Sequence, residues 1–180
     1  MPYAVTHVLA AIILVELFRE YIIKDNRKFP RYYILIAAIG GIIPDLDIGL
    51  VYIMHFFGFA VEQIHRTFLH SIFIPLILLF IGMFILKTGI KSSEIRKRHM
   101  KLSTIFFILS IGSIVHLLLD ATFSGSIILF YPLSSLSIGL NLINIFPVEL
   151  RGLIIPTLDA ILLILWLFWM EFKLKITDYF

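Results

Sequence analysis

The chain has 180 residues, of which 60% are hydrophobic and only 15% are charged. A soluble domain of this length cannot bury so much apolar surface, so the composition excludes a soluble globular protein and indicates an integral membrane protein. The absence of cysteine excludes disulfides, thiolate metal sites and a cysteine nucleophile. The basic residues behind the net charge of +3 lie in loops on one side of the membrane, where topology accounts for them, so no nucleic-acid partner is expected.

Apolar runs separated by charged loops predict an all-α integral membrane protein with about five transmembrane helices, packed in one bundle as a single domain over residues 1–180. The first helix is expected to be retained, because its basic residues follow the apolar run, unlike those of a signal peptide. In chain order, the predicted helices cover residues 5–23, 32–43, 65–86, 102–122 and 153–172. Residues 48–61 and 123–150 are expected to be apolar interfacial or re-entrant segments.

The distribution of Lys and Arg predicts the orientation. All of the 15 basic residues except Arg66 and Arg151 lie at or beside three places: the end of the first helix with its loop, the loop at residues 87–101, and the C-terminal tail. The positive-inside rule assigns that side to the cytoplasm. We therefore expect an inner (plasma) membrane protein with its N-terminus outside and its C-terminus inside.

Ionisable residues interrupt the apolar runs at four places. Such residues are costly at membrane depth and usually face a bundle interior or a wet cavity, where they mark a functional site. Measured from the basic end of each helix at about 1.5 Å per residue, most of them lie about 21 to 25 Å away, and Asp120 and His65 lie at about 28 and 33 Å. The residues of this predicted layer are His7, Asp45, Asp47, His65, His70, His116 and Asp120.

The residue types in this layer are those of a divalent metal site. Imidazoles and carboxylates without thiolates suit Zn²⁺, with Mn²⁺ and Fe²⁺ as alternatives. His116 and Asp120 are four residues apart and share one helical face, so both can bind the same ion. The number of candidate ligands is too large for one tetrahedral ion and predicts two ions with water in the open positions.

Two metal ions can activate a water molecule and clamp the oxygens of a phosphoester, so the layer predicts a hydrolase. Asp45 and Arg66 are the predicted catalytic residues, with Arg66 meeting the developing charge of the phosphate. The pattern leaves open whether His65 or His70 is the inner ligand. It also leaves open whether Asp45 or Asp47 contacts a metal directly. The apolar interfacial segments favour a lipid or amphiphilic substrate that enters sideways from the outer leaflet, which places the active site on the extracytoplasmic side.

These motifs resemble those of the inner-membrane metal-dependent hydrolases of the YdjM type, and the resemblance covers most of the chain. It rests on Thr6-His7, Pro44-Asp45-Leu46-Asp47, His65-Arg66-Thr67 with His70-Ser71, and His116 to Asp120. More remotely, the order of these residues is similar to that of the zinc-dependent phospholipase C and P1 nuclease group. That likeness implies metal ligation by His7, by one of Asp45 and Asp47, by one of His65 and His70, and by His116 and Asp120.

A metal-ion or proton-coupled transporter is the alternative function, since buried His and Asp residues also form ion pathways. The gathering of the ligands near one face argues against it, because the basic half offers only Glu16 and Glu20 as a relay. Both glutamates are expected to pair with Arg19 or Lys24 instead.

Three further polar residues, Asp159, His55 and His99, lie outside these motifs. Asp159 shares the depth of the layer and is expected to be either an additional or supporting group of the metal site or a helix-to-helix hydrogen bond. His55 and His99 are expected to be bystanders, because one lies in an apolar interfacial segment and the other in a basic loop.

Overall fold

The protein is built from α-helices in its computed structural model, which describes residues 4–25, 29–58, 67–88, 94–95, 100–123 and 125–175. A π-helical turn, Arg19–Ile23, extends the first helix. Turns of 3₁₀ helix, Ile43–Leu46 and Leu142–Ile145, precede the third and the last helix. A short antiparallel ladder pairs β1 (Glu94–Ile95) with β2 (Met100–Lys101). The helices are α1 (Ala4–Phe18), α2 (Tyr32–Ile42), α3 (Asp47–His55), α4 (Phe73–Thr88), α5 (Leu102–Phe123) and α6 (Val148–Leu174).

Helix α5 lies at the centre of the bundle, where it packs against α4, α2 and α1. Helix α1 also packs against α2 and α6. In a membrane, lipid tails are as apolar as the side chains, so the hydrophobic effect does not hold helices together. Close van der Waals packing does so instead. The apolar core fills the space between α1, α2 and α5, and its buried residues are Ala11, Val15, Phe29, Tyr33, Ala37 and Ile108.

Glycines bring α2 close to both of its neighbours. A Cβ atom at Gly112 of α5 would lie 2.7 Å from the carbonyl oxygen of Ala37 and 2.8 Å from the backbone of Gly40 in α2. On the other side of α2, a Cβ atom at Gly41 would lie 2.8 Å from the carbonyl oxygen of His7 in α1. Small residues permit this approach of helix backbones in membranes. The glycines therefore set the spacing of the three helices at the level of His7.

The predicted membrane character of the all-α chain is confirmed. Within the described residues, three helical segments are long and apolar enough to cross a bilayer: Tyr32–His55, Leu102–Phe123 and Val148–Lys173. Helix α4 is apolar but shorter. Only 6% of the apolar window of α6 is buried, as expected for a helix with most of its surface toward lipid. The number of five spans, the single domain and the orientation stay predictions.

The second predicted helix differs from the structure. The sequence predicts a helix that stops before Pro44, with the two aspartates in a non-helical stretch and a separate interfacial segment after them. The chain instead continues through the 3₁₀ turn into α3, so that Tyr32–His55 is one helical segment of 24 residues. Pro44 is accommodated because it lies in the first turn of the 3₁₀ helix, where its missing N–H is not needed.

The starts of α4 and α6 also differ from the predicted boundaries. Helix α4 begins at Phe73 rather than at residue 65, and residues 67–72 form turns. Helix α6 begins at Val148 rather than at residue 153, directly after Pro147, whose φ of −52° suits the entry into a helix. Pro156 lies inside α6. It has no N–H to donate to the preceding turn, and neighbouring groups can bond the carbonyl group that is left without a partner.

Residues 125–147, called the flap below, connect α5 to α6 largely without helix. Ile127 and Ile138 exchange two backbone hydrogen bonds of 2.9 Å. The backbone N–H of Ile72 donates to the carbonyl oxygen of Leu129 at 2.8 Å, which ties the flap to the turn before α4. Irregular backbone does not face the hydrocarbon core, and the interfacial position of this segment stays a prediction. The flap exposes large apolar side chains, among them Leu133, Leu136, Leu140 and Ile145.

Candidate metal centre

Histidine and aspartate side chains from four parts of the chain meet in one cluster. His7 comes from α1, Asp45 from the 3₁₀ turn after α2, His70 from the turn before α4, and His116 and Asp120 from α5. Asp45 is partly exposed, and the other four residues are at most 1% exposed. Burying ionisable groups in an apolar bundle is costly unless they are paired or bind a metal. The cluster is therefore the strongest candidate for a functional site among the described residues.

The tightest group consists of His70, His116 and Asp45. Nε2 of His70 lies 3.3 Å from Nε2 of His116 and 3.5 Å from Oδ1 of Asp45. Nε2 of His116 lies 3.6 Å from the same oxygen. A tetrahedral zinc ion binds N and O ligands at about 2.0 to 2.1 Å, which separates neighbouring ligands by about 3.4 Å. The three atoms thus have the spacing of one face of a tetrahedral site and can hold a metal ion.

The second ring nitrogen of each histidine in this group has an orienting partner. Nδ1–H of His116 donates to the carbonyl oxygen of Gly41 at 2.7 Å, so its Nε2 carries the lone pair that faces the cluster. Nδ1 of His70 lies 3.1 Å from Oδ2 of Asp47. Metal-binding histidines usually donate their other N–H to such partners, which fix the tautomer and the ring orientation. Asp45 therefore faces the cluster, whereas Asp47, also a predicted ligand, contacts the far side of the His70 ring.

The two carboxylate oxygens of Asp120 face different histidines. Oδ2 lies 3.5 Å from Nε2 of His70 and 3.7 Å from Nε2 of His116, so it extends the first group of ligands. Oδ1 lies 3.5 Å from Nε2 of His7. A carboxylate in this position can bridge two metal ions.

His7 belongs to a second position in the cluster. Its ligand atoms and those of His116 and Asp120 lie within 4.8 Å of one another, close enough for one ion. The rings of His7 and His116 are stacked, however, with centroids 3.7 Å apart and planes inclined by 17°. The lone pair of an imidazole nitrogen lies in the ring plane, so two stacked rings cannot direct their lone pairs to one ion. His7 and Oδ1 of Asp120 therefore define the second position.

The position of His7 is held less firmly than that of the other two histidines. Nδ1 of His7 is buried without a hydrogen-bond partner in the part of the chain that the structure describes. Nδ1 of His116 donates a hydrogen bond to the carbonyl oxygen of Gly41, and Nδ1 of His70 has the carboxylate of Asp47 at 3.1 Å as an ion-pair contact. Since such partners strengthen metal binding, the second position is the weaker one.

Other predicted residues lie away from the cluster or outside the described residues. His65, Arg66 and His99 fall outside those ranges, so the roles assigned to them stay predictions. His55 is exposed near the end of α3. Glu20 forms the expected ion pair with Arg19.

Asp159 contacts α1 next to the cluster. The hydroxyl of Thr6, which is fully buried, donates a hydrogen bond to Oδ1 of Asp159 and so joins α1 to α6. Of the two expected alternatives for Asp159, the geometry supports the helix-to-helix hydrogen bond. Because Thr6 precedes His7, this bond also fixes the part of α1 that carries the histidine.

Gly41 was not among the predicted site residues, although its carbonyl oxygen accepts the hydrogen bond from His116. The adjacent Gly40 accepts a 3.1 Å hydrogen bond from the hydroxyl of Ser113. A pair of glycines inside an apolar helix is itself a signal of close helix packing in a membrane. That signal can locate the contact, but it cannot identify the carbonyl group that the histidine uses.

Comparison with known protein families gives one match that includes the whole cluster. The family model described as YdjM inner membrane protein matches residues 1–176. Comparisons with curated proteins and with solved structures give no match. The remote likeness to the phospholipase C and P1 nuclease group stays a prediction.

Proposed function

We propose that this chain, which belongs to the YdjM inner membrane protein family, is a membrane-bound, metal-dependent hydrolase of a phosphoester in a lipid or amphiphile. The observation that carries this proposal is the contact of 3.3 Å between Nε2 of His70 and Nε2 of His116. The Nδ1 atom of each ring faces another group, so both Nε2 atoms point into the cluster. A proton shared by the two nitrogens or a metal ion bound to both holds them at this distance. The oxygens of Asp45 and Asp120 beside them complete a donor set that suits a divalent metal ion.

The donor set supports zinc, with manganese or iron as alternatives, because it combines imidazole nitrogen with carboxylate oxygen. The two carboxylate oxygens of Asp120 face different histidines, which supports two ions rather than one. When bound, such ions supply a more acidic water and positive charge for the phosphoryl oxygens.

The chain's own residues would bind these ions, orient the ligands and move a proton. His70 and His116 hold their ring orientation through Asp47 and the carbonyl group of Gly41. Asp45 is the most accessible member of the cluster, with 14% of its side chain exposed. Its Oδ1 faces the histidines, which leaves Oδ2 as an acceptor for a proton from the attacking water.

Arg66 immediately precedes the first described residue of the turn that carries His70. We propose, as the sequence predicts, that its guanidinium neutralises the developing charge of the phosphate. The apolar flap, tied to the same turn through Ile72, favours a substrate with a hydrocarbon portion. We propose sideways entry from the lipid on the extracytoplasmic side.

The first experiment measures the metal content of the detergent-purified protein by elemental analysis, together with the release of phosphate products from phospholipids and isoprenoid phosphates. We expect about two equivalents of zinc, manganese or iron in the wild type. His116→Ala should lose the metal and the hydrolysis while it still inserts into the membrane. His55→Ala, on the exposed surface of α3, is the matched control and should behave as wild type.

Equal metal content in the wild type and His116→Ala would refute the metal centre. Bound metal without hydrolysis of any tested phosphoester would refute the hydrolase. Metal uptake into vesicles that carry the protein, again without hydrolysis, would favour the transporter.

A further inference from the structure

Glu16 is a buried carboxylate that the metal centre does not use. It lies on α1 nine residues after His7, a distance of about 14 Å along the helix toward its basic end. Only 2% of Glu16 is exposed. It forms no ion pair with a lysine or arginine in the described ranges, because the guanidinium of the neighbouring Arg19 binds Glu20 and the carbonyl oxygen of Phe29. The expected salt bridge of Glu16 is therefore absent there, and its polar neighbours are the indole of Trp166 and, at longer range, Arg19 and Arg31.

Glu16 lines a cavity of about 200 Å³ between α1 and α6. Trp166 and Trp169 form its aromatic wall, and leucine and isoleucine side chains of both helices complete it. Nε1 of Trp169 is buried without a hydrogen-bond partner among the residues described, and Nε1 of Trp166 lies near the Glu16 carboxylate without a well-formed hydrogen bond. A second cavity, of about 230 Å³, lies next to Glu16 and Trp166 and extends to Arg31.

We infer that the cavity between Glu16, Trp166 and Trp169 binds a small organic ammonium ion. The carboxylate supplies the negative charge, and the faces of the indole rings attract a cation through their quadrupole. The aliphatic walls suit the alkyl groups of such an ion. A drug-sized ligand usually occupies about 300 to 1,000 Å³, so this smaller cavity selects a compact cation.

The cavity does not suit an inorganic cation or an anion. A calcium or magnesium ion requires about six oxygen ligands, whereas the lining supplies a single carboxylate. An anion would be repelled by Glu16, and a neutral apolar molecule would leave the carboxylate without a counter-charge. An alkylammonium ion can place its positive charge next to Glu16 and its alkyl groups against the apolar side chains.

The test uses the intrinsic fluorescence of the purified protein in detergent. Trp166 and Trp169 are the two tryptophans of the chain and both line the cavity, so their emission reports its occupancy directly. The probe is tert-butylammonium, and tert-butanol is the neutral molecule of the same shape. We expect a saturable change in emission with the ammonium ion and none with the alcohol.

Glu16→Gln removes the charge at nearly constant volume and should weaken binding of the ammonium ion about tenfold or more. Glu149→Gln is the matched control, because Glu149 lies exposed at the start of α6, outside the cavity lining. Its binding curve should equal that of the wild type. Leu162→Phe narrows the cavity without touching the carboxylate and should also abolish saturation.

Equal binding by the wild type and Glu16→Gln, or an equal response to tert-butanol, would overturn the inference. So would wild-type binding by Leu162→Phe, even where Glu16→Gln fails to fold. The emission depends on occupancy of this cavity and not on hydrolysis, so the result is independent of the proposed enzymatic function.

Discussion

The histidine–aspartate cluster and the Glu16 cavity both bury carboxylates in an apolar bundle, but they surround them with different partners. In the cluster, imidazole nitrogens lie about 3.5 Å from the oxygens of Asp45 and Asp120. In the cavity, indole rings and aliphatic side chains surround the single carboxylate of Glu16. Several convergent lone pairs suit a small divalent ion, whereas one charge among aromatic faces suits a larger organic cation. We therefore expect the neighbours of a buried carboxylate to decide which cation it selects.

The largest effect is expected from Asp120→Ala, because this residue contributes an oxygen to each of the two proposed positions. Elemental analysis should find no bound metal, while tert-butylammonium should still bind to the Glu16 cavity. His7→Ala should lose about one of two equivalents, since His7 faces only the second position.

Retention of both ions by Asp120→Ala would show that the carboxylate does not bridge the two positions. Loss of both ions in His7→Ala would show that the cluster has one centre instead of two. Loss of ammonium binding in either variant would remove the proposed independence of the two regions.

A smaller effect is expected from Asp47→Asn. Removing the charge of the group that orients His70 should weaken metal affinity about 10- to 100-fold without removing a ligand. Competition with a chelator of known affinity measures this change, and Asp45→Asn, which alters the group facing the histidines, should lose more. Unchanged affinity in Asp47→Asn would assign Asp47 no role in orienting His70.

The smallest effect is expected from Gly112→Ala, which acts on the scaffold of the cluster. The added Cβ would lie 2.7 Å from the carbonyl oxygen of Ala37, so α5 must move away from α2. Such overpacking costs about 1 to 3 kcal/mol of unfolding free energy, measurable by thermal unfolding in detergent. Gly49→Ala, at a helical position with open space, is the control and should be at least as stable as the wild type, because alanine favours a helix more than glycine does. Equal stability of both variants would contradict the close contact.

The fold class and the membership of the cluster were largely accessible from the sequence. Long apolar runs identify membrane helices, because backbone groups in lipid must satisfy one another within a helix. His7, His70, His116 and Asp120 stand out within such runs, because an ionisable side chain there is costly without a function. Their similar distances from the basic flanks also indicated that they meet, and the structure brings them together.

The details of the contacts were not accessible in this way. Pro44 suggested the end of a helix, although the first turn of a 3₁₀ helix accepts proline and the chain continues into α3. Asp45 and Asp47 are the same residue type and stand two positions apart, so the sequence does not separate their roles. The structure separates them, because the His70 ring lies between their carboxylates. Glu16 was expected to pair with a basic neighbour, but the guanidinium of Arg19 is engaged elsewhere.

By itself, the sequence determined that this protein is a helical membrane protein with a buried layer of histidine and aspartate. Composition identifies each helix, and the rise per residue gives the depth of a side chain along it, and both can be read from one segment alone. The tertiary structure decided which nitrogen faces which oxygen, that the rings of His7 and His116 stack, and that α1 and α6 enclose a cavity beside Glu16. Those features depend on how closely α1, α2, α5 and α6 approach one another. That approach is set by contacts between residues far apart in the chain, such as Gly40 with Gly112.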